Sequence, residues 1–99
     1  MERQMFIVLL KFAANEVQAG RFMDKHNDWI RRGFEDGVFI MVGSLELSTG
    51  GAIIAYNTSL ADLRSRVSED PFVAKDIVHA EILEITPKRT DEKLAFLSG

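Results

Sequence analysis

The chain has 99 residues, 46% hydrophobic and 27% charged, with a formal net charge of −3, which describes one soluble domain with a single core and little surplus unless a partner adds burial. The absence of cysteine excludes disulfide frameworks, thiolate metal sites and a cysteine nucleophile, and leaves the cytoplasm as the expected compartment. No run approaches the ~20 apolar residues of a membrane span, the run Met5 to Leu10 is too short for a secretory leader, and the acidic balance disfavours nucleic-acid binding.

In chain order, Met5 to Phe12 (MFIVLLKF) is an apolar run of strand length, rich in aromatic and branched residues, and reads as a strand buried on both faces. From Asn15 to Phe34 the rhythm changes. Phe22, Met23, His26, Trp29, Ile30 and Gly33 recur at spacings of three and four, while most charged residues lie elsewhere, predicting an amphipathic helix stopped at Gly37. Val38 to Gly43 and Ala52 to Tyr56 are two more strands. Between them lies SLELSTGG, whose closing glycines suit a hairpin turn.

Ser59 followed by Asp62 resembles a capping box and predicts a helix over Leu60 to Val67 with Leu60, Leu63 and Val67 inward. Asp70-Pro71-Phe72 then ends that helix and predicts one more helical turn, Phe72 to Lys75, capped by the aspartate. Ile77 to Thr86 reads as the last strand, closed by Pro87. Residues 1–87 make the domain, and residues 88–99 a charged tail with the apolar cluster Leu94 to Leu97, an appendage available to pack on a partner subunit.

The order βαββαβ is that of a ferredoxin-like α+β sandwich, an antiparallel four-stranded sheet with two helices on one face. Met5, Ile7 and Leu9 must then point opposite to Phe6, Val8 and Leu10, and two helices can cover only one of those sets. A bare apolar sheet face exceeds what a monomer usually exposes, so a homodimer, or a higher homo-oligomer, packed through the sheets is expected.

Few residues are left to carry chemistry. His26 lies on the apolar stripe of the first helix, where a histidine is more often a packing residue, although no side chain is better suited to proton transfer near neutral pH. Asp70 has an equally plain explanation as a cap. A capping aspartate can nonetheless accept a hydrogen bond from His26, fixing its tautomer and leaving the other ring nitrogen for substrate; the spacing alone does not decide.

From Met5 to Pro87 the chain resembles the YCII domain family. The resemblance is carried by an opening strand, a helix with a single histidine (His26), Gly37 and Gly43 around the second strand, Gly51 before the third, a helix entered near Ala61, and Asp70-Pro71-Phe72 before a final strand closed by Pro87. It implies a dimeric α/β barrel with His26 and Asp70 as the active-site pair, in a family mostly of unknown function that includes an enzyme acting on chlorinated hydroquinones. The chain departs from many members at Gly43-Ser44, where they have Gly-Pro, and at Lys75-Asp76-Ile77, which lacks a glycine common in relatives.

Ser44 is a candidate donor into the cleft or simply the start of a loop. Lys11 near the end of the first strand could meet an anionic substrate or snorkel into solvent. Phe72, the aromatic of the Asp-Pro element, completes the candidate substrate contacts. His79 shares the parity of Ile77, Glu81 and Leu83 and is assigned no role. No metal-site spacing, phosphate loop or dinucleotide fingerprint is present.

Two functions are compatible with this pattern. One is a cofactor-free enzyme in which His26 and Asp70 shuttle a proton on a small cyclic or aromatic oxygenated substrate, as an isomerase or lyase. The other is a non-catalytic small-molecule-binding or regulatory module of the same dimeric fold, and fold alone does not choose between them.

Overall fold

Alternation within the opening apolar run decides which face the helices cover. In the computed structural model, which describes residues 4–97, Phe6, Val8 and Leu10 of strand β1 (Met5–Phe12) are buried, whereas Met5, Ile7 and Leu9 are only partly so. β1 lies inside the sheet between β3 (Gly50–Tyr56) and β4 (Val78–Ile85), and β2 (Phe39–Ser44) pairs outside β3, giving the order β2-β3-β1-β4. All three pairings are antiparallel. Helices α1 (Ala19–Glu35), α2 (Leu60–Ser68) and α3 (Pro71–Ala74) contribute Trp29, Leu63, Val67 and Phe72 to the same core as Phe6, Val8, Phe39 and Ile53. The result is the ferredoxin-like α+β sandwich expected from the order of elements, with the Asp-Pro turn as a short third helix.

On α1 the apolar stripe does face the sheet, with Trp29 and Gly33 buried. Glycine is required at position 33: a Cβ there would lie 2.0 Å from the Phe39 ring, so its absence lets the C-terminal end of α1 close onto β2. The helix begins later than its sequence predicts. Glu16–Gln18 form a 3₁₀ turn, and Asn15 does not cap it with its side chain. Instead Asn15 donates Nδ2 to the Lys75 carbonyl and its backbone N–H to the Asp76 carbonyl, tying the segment to the far end of α3. α2 starts where the capping pattern puts it, with the Asp62 N–H donating to Ser59 Oγ at 3.0 Å.

The β2–β3 connection turns by a different device from the one anticipated. The chain reverses through Leu47 and Ser48, both at positive φ (65° and 54°), while Gly50 and Gly51 already belong to β3. Gly50 is needed for close approach, because a Cβ would lie 2.0 Å from the Leu10 carbonyl oxygen.

Helices α1, α2 and α3 leave the second sheet face uncovered. Register places Ile7, Ile54, Leu83 and Met41 side by side on it, with Met41 48% and Leu83 43% exposed. The closing segment crosses one end of this face within the same chain: Glu92–Leu97 form a 3₁₀ turn, Phe96 meets Tyr56 edge to face at 5.0 Å, and Leu97 is buried. Among the described residues no helix is long and apolar enough to cross a membrane.

Candidate functional site

Asp70 enters the site as a helix cap. Its backbone is extended, Pro71 follows at the first helical position, and its Oδ1 accepts the Phe72 N–H at 3.0 Å. This geometry pulls the carboxylate beneath α1, where it has no solvent exposure. There the same Oδ1 lies 2.8 Å from Nδ1 of His26, 44 residues earlier in the chain. The cap and the contact to histidine are therefore one arrangement. The other oxygen, Oδ2, is buried without a hydrogen-bond partner among the described residues. A carboxylate so enclosed is costly unless paired, and the pairing present is the one to His26.

The histidine ring is clamped as well as bonded. Phe72 lies flat against it, with centroids 3.9 Å apart and planes 4° from parallel, and Trp29 stands 6.0 Å away at 26°. Trp29 is itself fixed by donation of Nε1 to the Arg66 carbonyl at 2.9 Å and by an edge contact with Phe39. The His26 side chain retains 12% exposure. With Nδ1 engaged by Asp70, the nitrogen left for a ligand is Nε2.

That exposure opens into a cavity of about 400 Å³ between α1 and the helix-facing side of the sheet. Met23, His26, Asn27 and Ile30 form the helical wall, Leu10, Phe12, Val42, Ser44, Ile53 and Val78 the sheet wall, and Phe72 closes one end. The cavity occupies the part of the interface away from the close Gly33–Phe39 contact. Gly51 pairs with both Leu10 and Ser44 and has no side chain to fill the floor.

The sequence-derived candidates divide between two faces of the sheet. His26, Asp70 and Phe72 are in mutual contact, and Ser44 lines the same cavity. Lys11 does not line it. It is exposed and pairs with His79 on the opposite face, alongside Leu9 and Ile7. Sequence reasoning missed Asn27. The sign available for it was spacing, since Met23, Asn27 and Ile30 form a second edge of α1 beside the buried stripe.

A second groove, between α1 and α2, lies on the other side of Trp29, where Arg66 is bonded to Asp36 at 2.9 Å. Among the described residues no cluster of His, Asp and Glu is arranged to hold a metal ion.

No protein-family model matches the chain, and none of the curated proteins does. Among solved structures the chain is similar to 5-chloro-2-hydroxyhydroquinone dehydrochlorinase from Burkholderia phenoliruptrix, determined in complex with 2,5-dihydroxybenzoquinone. The match has a TM-score of 0.64 and covers 91% of this chain and 97% of that one at 16% identity, a likeness of fold.

Proposed function

We propose that the chain is an acid–base enzyme that moves a proton on a small cyclic or aromatic oxygenated substrate, with His26 as the catalytic residue and Asp70 positioning it. The observation that carries this reading is an imidazole that lines an apolar cavity while its Nδ1 is held by a fully buried carboxylate. Ionised Asp70 accepts Nδ1–H, which leaves the lone pair of Nε2 as the base. When Nε2 takes a proton from the substrate, the imidazolium forms beside the carboxylate, so positive charge is compensated where it develops. Return of the proton to a different substrate atom gives isomerisation; departure of a leaving group with its bonding electrons gives elimination.

The enzyme of similar fold supports the elimination branch, because it is named as a dehydrochlorinase of a hydroxylated ring. The resemblance of Asp70-Pro71-Phe72 and His26 to the YCII domain family points the same way. In this reading two copies associate through their open sheet faces, covering Met41, Leu83 and Ile85.

The test is proton exchange into candidate substrates in deuterated buffer. Hydroquinone, hydroxyhydroquinone and their chlorinated derivatives are incubated with the protein and followed by proton NMR and chloride release. Protein-dependent exchange or chloride release is expected, falling by about 10²–10⁴-fold in His26→Ala. Binding of these compounds without either reaction would instead make the chain a ligand-binding module.

A further inference from the structure

The charge of the ligand is written into the cavity walls. Its polar side chains are His26, Asn27 and Ser44, and every other lining residue is apolar or glycine. Among the described residues no lysine, arginine, aspartate or glutamate lines it. Lys11, the cation nearest in sequence to the lining residues Leu10 and Phe12, is on the other side of the sheet. A carboxylate or phosphate entering this space would exchange water for apolar walls with no lysine or arginine to meet it, and any positive charge on the His26 ring is already balanced by Asp70. The volume suits one substituted ring, since a dry cavity of roughly 150 Å³ already admits benzene.

We infer that the cavity selects an uncharged ring bearing oxygen substituents on two sides, and that Asn27 is the residue that fixes its orientation. The inference rests on the reading of this cavity as the ligand site. The two walls supply complementary anchors. Ser44 on the sheet wall can donate to or accept from one hydroxyl or carbonyl oxygen, and the Asn27 amide on the helix wall can do both for another. Because Asn27 and His26 both line the cavity from α1, an oxygen held by the amide keeps the adjoining ring atoms within the space onto which the histidine opens, with Nδ1 turned to Asp70. Asn27 is otherwise unconstrained. It is exposed on the helix, and its side chain has no hydrogen bond to the rest of the chain among those the structure shows. A role in holding the fold is therefore not what places an amide there.

The experiment is binding, independent of turnover, by calorimetry and by chemical-shift changes of the His26 ring. Hydroquinone is compared with 4-hydroxybenzoate and phenyl phosphate. Hydroquinone is expected to bind and to shift the His26 signals, with both anions at least about tenfold weaker because of the uncompensated charge. Asn27→Leu, which keeps the helix and the approximate volume, should weaken hydroquinone by about fivefold or more through loss of a ligand hydrogen bond. Asn27→Arg should reverse the order and favour 4-hydroxybenzoate. Failure of all three probes to bind, anion binding equal to or tighter than that of hydroquinone, or unchanged affinity in Asn27→Leu would overturn the inference. The selectivity would survive a finding that His26→Ala changes no reaction, and that finding would dispose of the enzymatic reading alone.

Discussion

A single carboxylate oxygen, Oδ1 of Asp70, receives both the Phe72 N–H and Nδ1 of His26, at 3.0 and 2.8 Å. Local helix capping and the long-range contact to histidine are consequently inseparable by simple truncation, whereas an isosteric change keeps both acceptor roles and removes only the charge. Asparagine presents a carbonyl oxygen where Oδ1 lies and an amide where Oδ2 lies.

Asp70→Asn is expected to keep the fold, the cap and the Nδ1–H tautomer, while removing the negative charge that would balance an imidazolium. Asp70→Ala removes the acceptor altogether, with a loss of about 0.5–2 kcal/mol for the cap and a redistribution of the His26 tautomer. Nitrogen-15 NMR of the ring, with exposed His79 as internal control, reads both. A His26 tautomer unchanged in a folded Asp70→Ala protein would dissolve the pair, leaving the aspartate as a cap and the histidine as packing.

Trp29 supports the same ring from behind. It is 2% exposed and contacts both His26 and Phe39, so Trp29→Ala should cost about 3–5 kcal/mol in denaturant titration. Trp29→Phe retains most of the packing and loses the bond to the Arg66 carbonyl, a change of about 1 kcal/mol. A loss below about 1 kcal/mol for the alanine variant would show that this helix face does not carry the core.

The closure of α1 onto β2 depends on the missing Cβ at position 33. Gly33→Ala places a methyl group inside the Phe39 ring's own volume, and the forced displacement should cost about 1–3 kcal/mol. Shrinking the ring with Phe39→Leu in the same chain should recover part of that loss. If the two effects simply add in a double-mutant cycle, the contact is not what limits the approach.

Those residues also show what the sequence could and could not disclose. Local rules placed β1, the Ser59 cap and the Asp-Pro turn, because alternation, side-chain capping and the fixed proline φ act within a few residues. They place the β2–β3 reversal too late: the chain turns at Leu47 and Ser48, and Gly50, at φ 143°, serves both the positive-φ backbone at the start of β3 and the close approach to Leu10. Asn15 looked like a helix start because its competing partners, Lys75 and Asp76, are sixty residues away. The candidate pair was legible from the family resemblance and from the residue types, and the contact between His26 and Asp70 needed the fold. An apolar cleft with His26, Ser44 and Phe72 on it is legible from residue types and the resemblance, but the rest of its lining is not. Its walls follow from strand register, and register separates Lys11 from Ser44 by one residue of parity, a distinction no composition or spacing states until the buried set of β1 is known.

The open sheet face yields the remaining prediction, association into a homodimer. Ile7, Ile54, Leu83 and Met41 are contiguous by register, with Met41 and Leu83 still exposed although the closing turn of the same chain meets this face where Phe96 packs on Tyr56. An apolar face of this kind is self-complementary under a two-fold axis, and a standard interface of roughly 1,600 Å² would hold two copies together at micromolar concentration. Sedimentation velocity should therefore report a dimer at a few tens of micromolar. Leu83 sits on this face 43% exposed, so Leu83→Lys costs little in the isolated chain but would bury two unpaired ammonium groups in the dimer. The expected outcome is a folded monomer with the native circular dichroism spectrum. A wild-type protein that sediments as a monomer at high micromolar concentration, or a Leu83→Lys variant that remains fully dimeric, would mean that the apolar strands are covered in some other way.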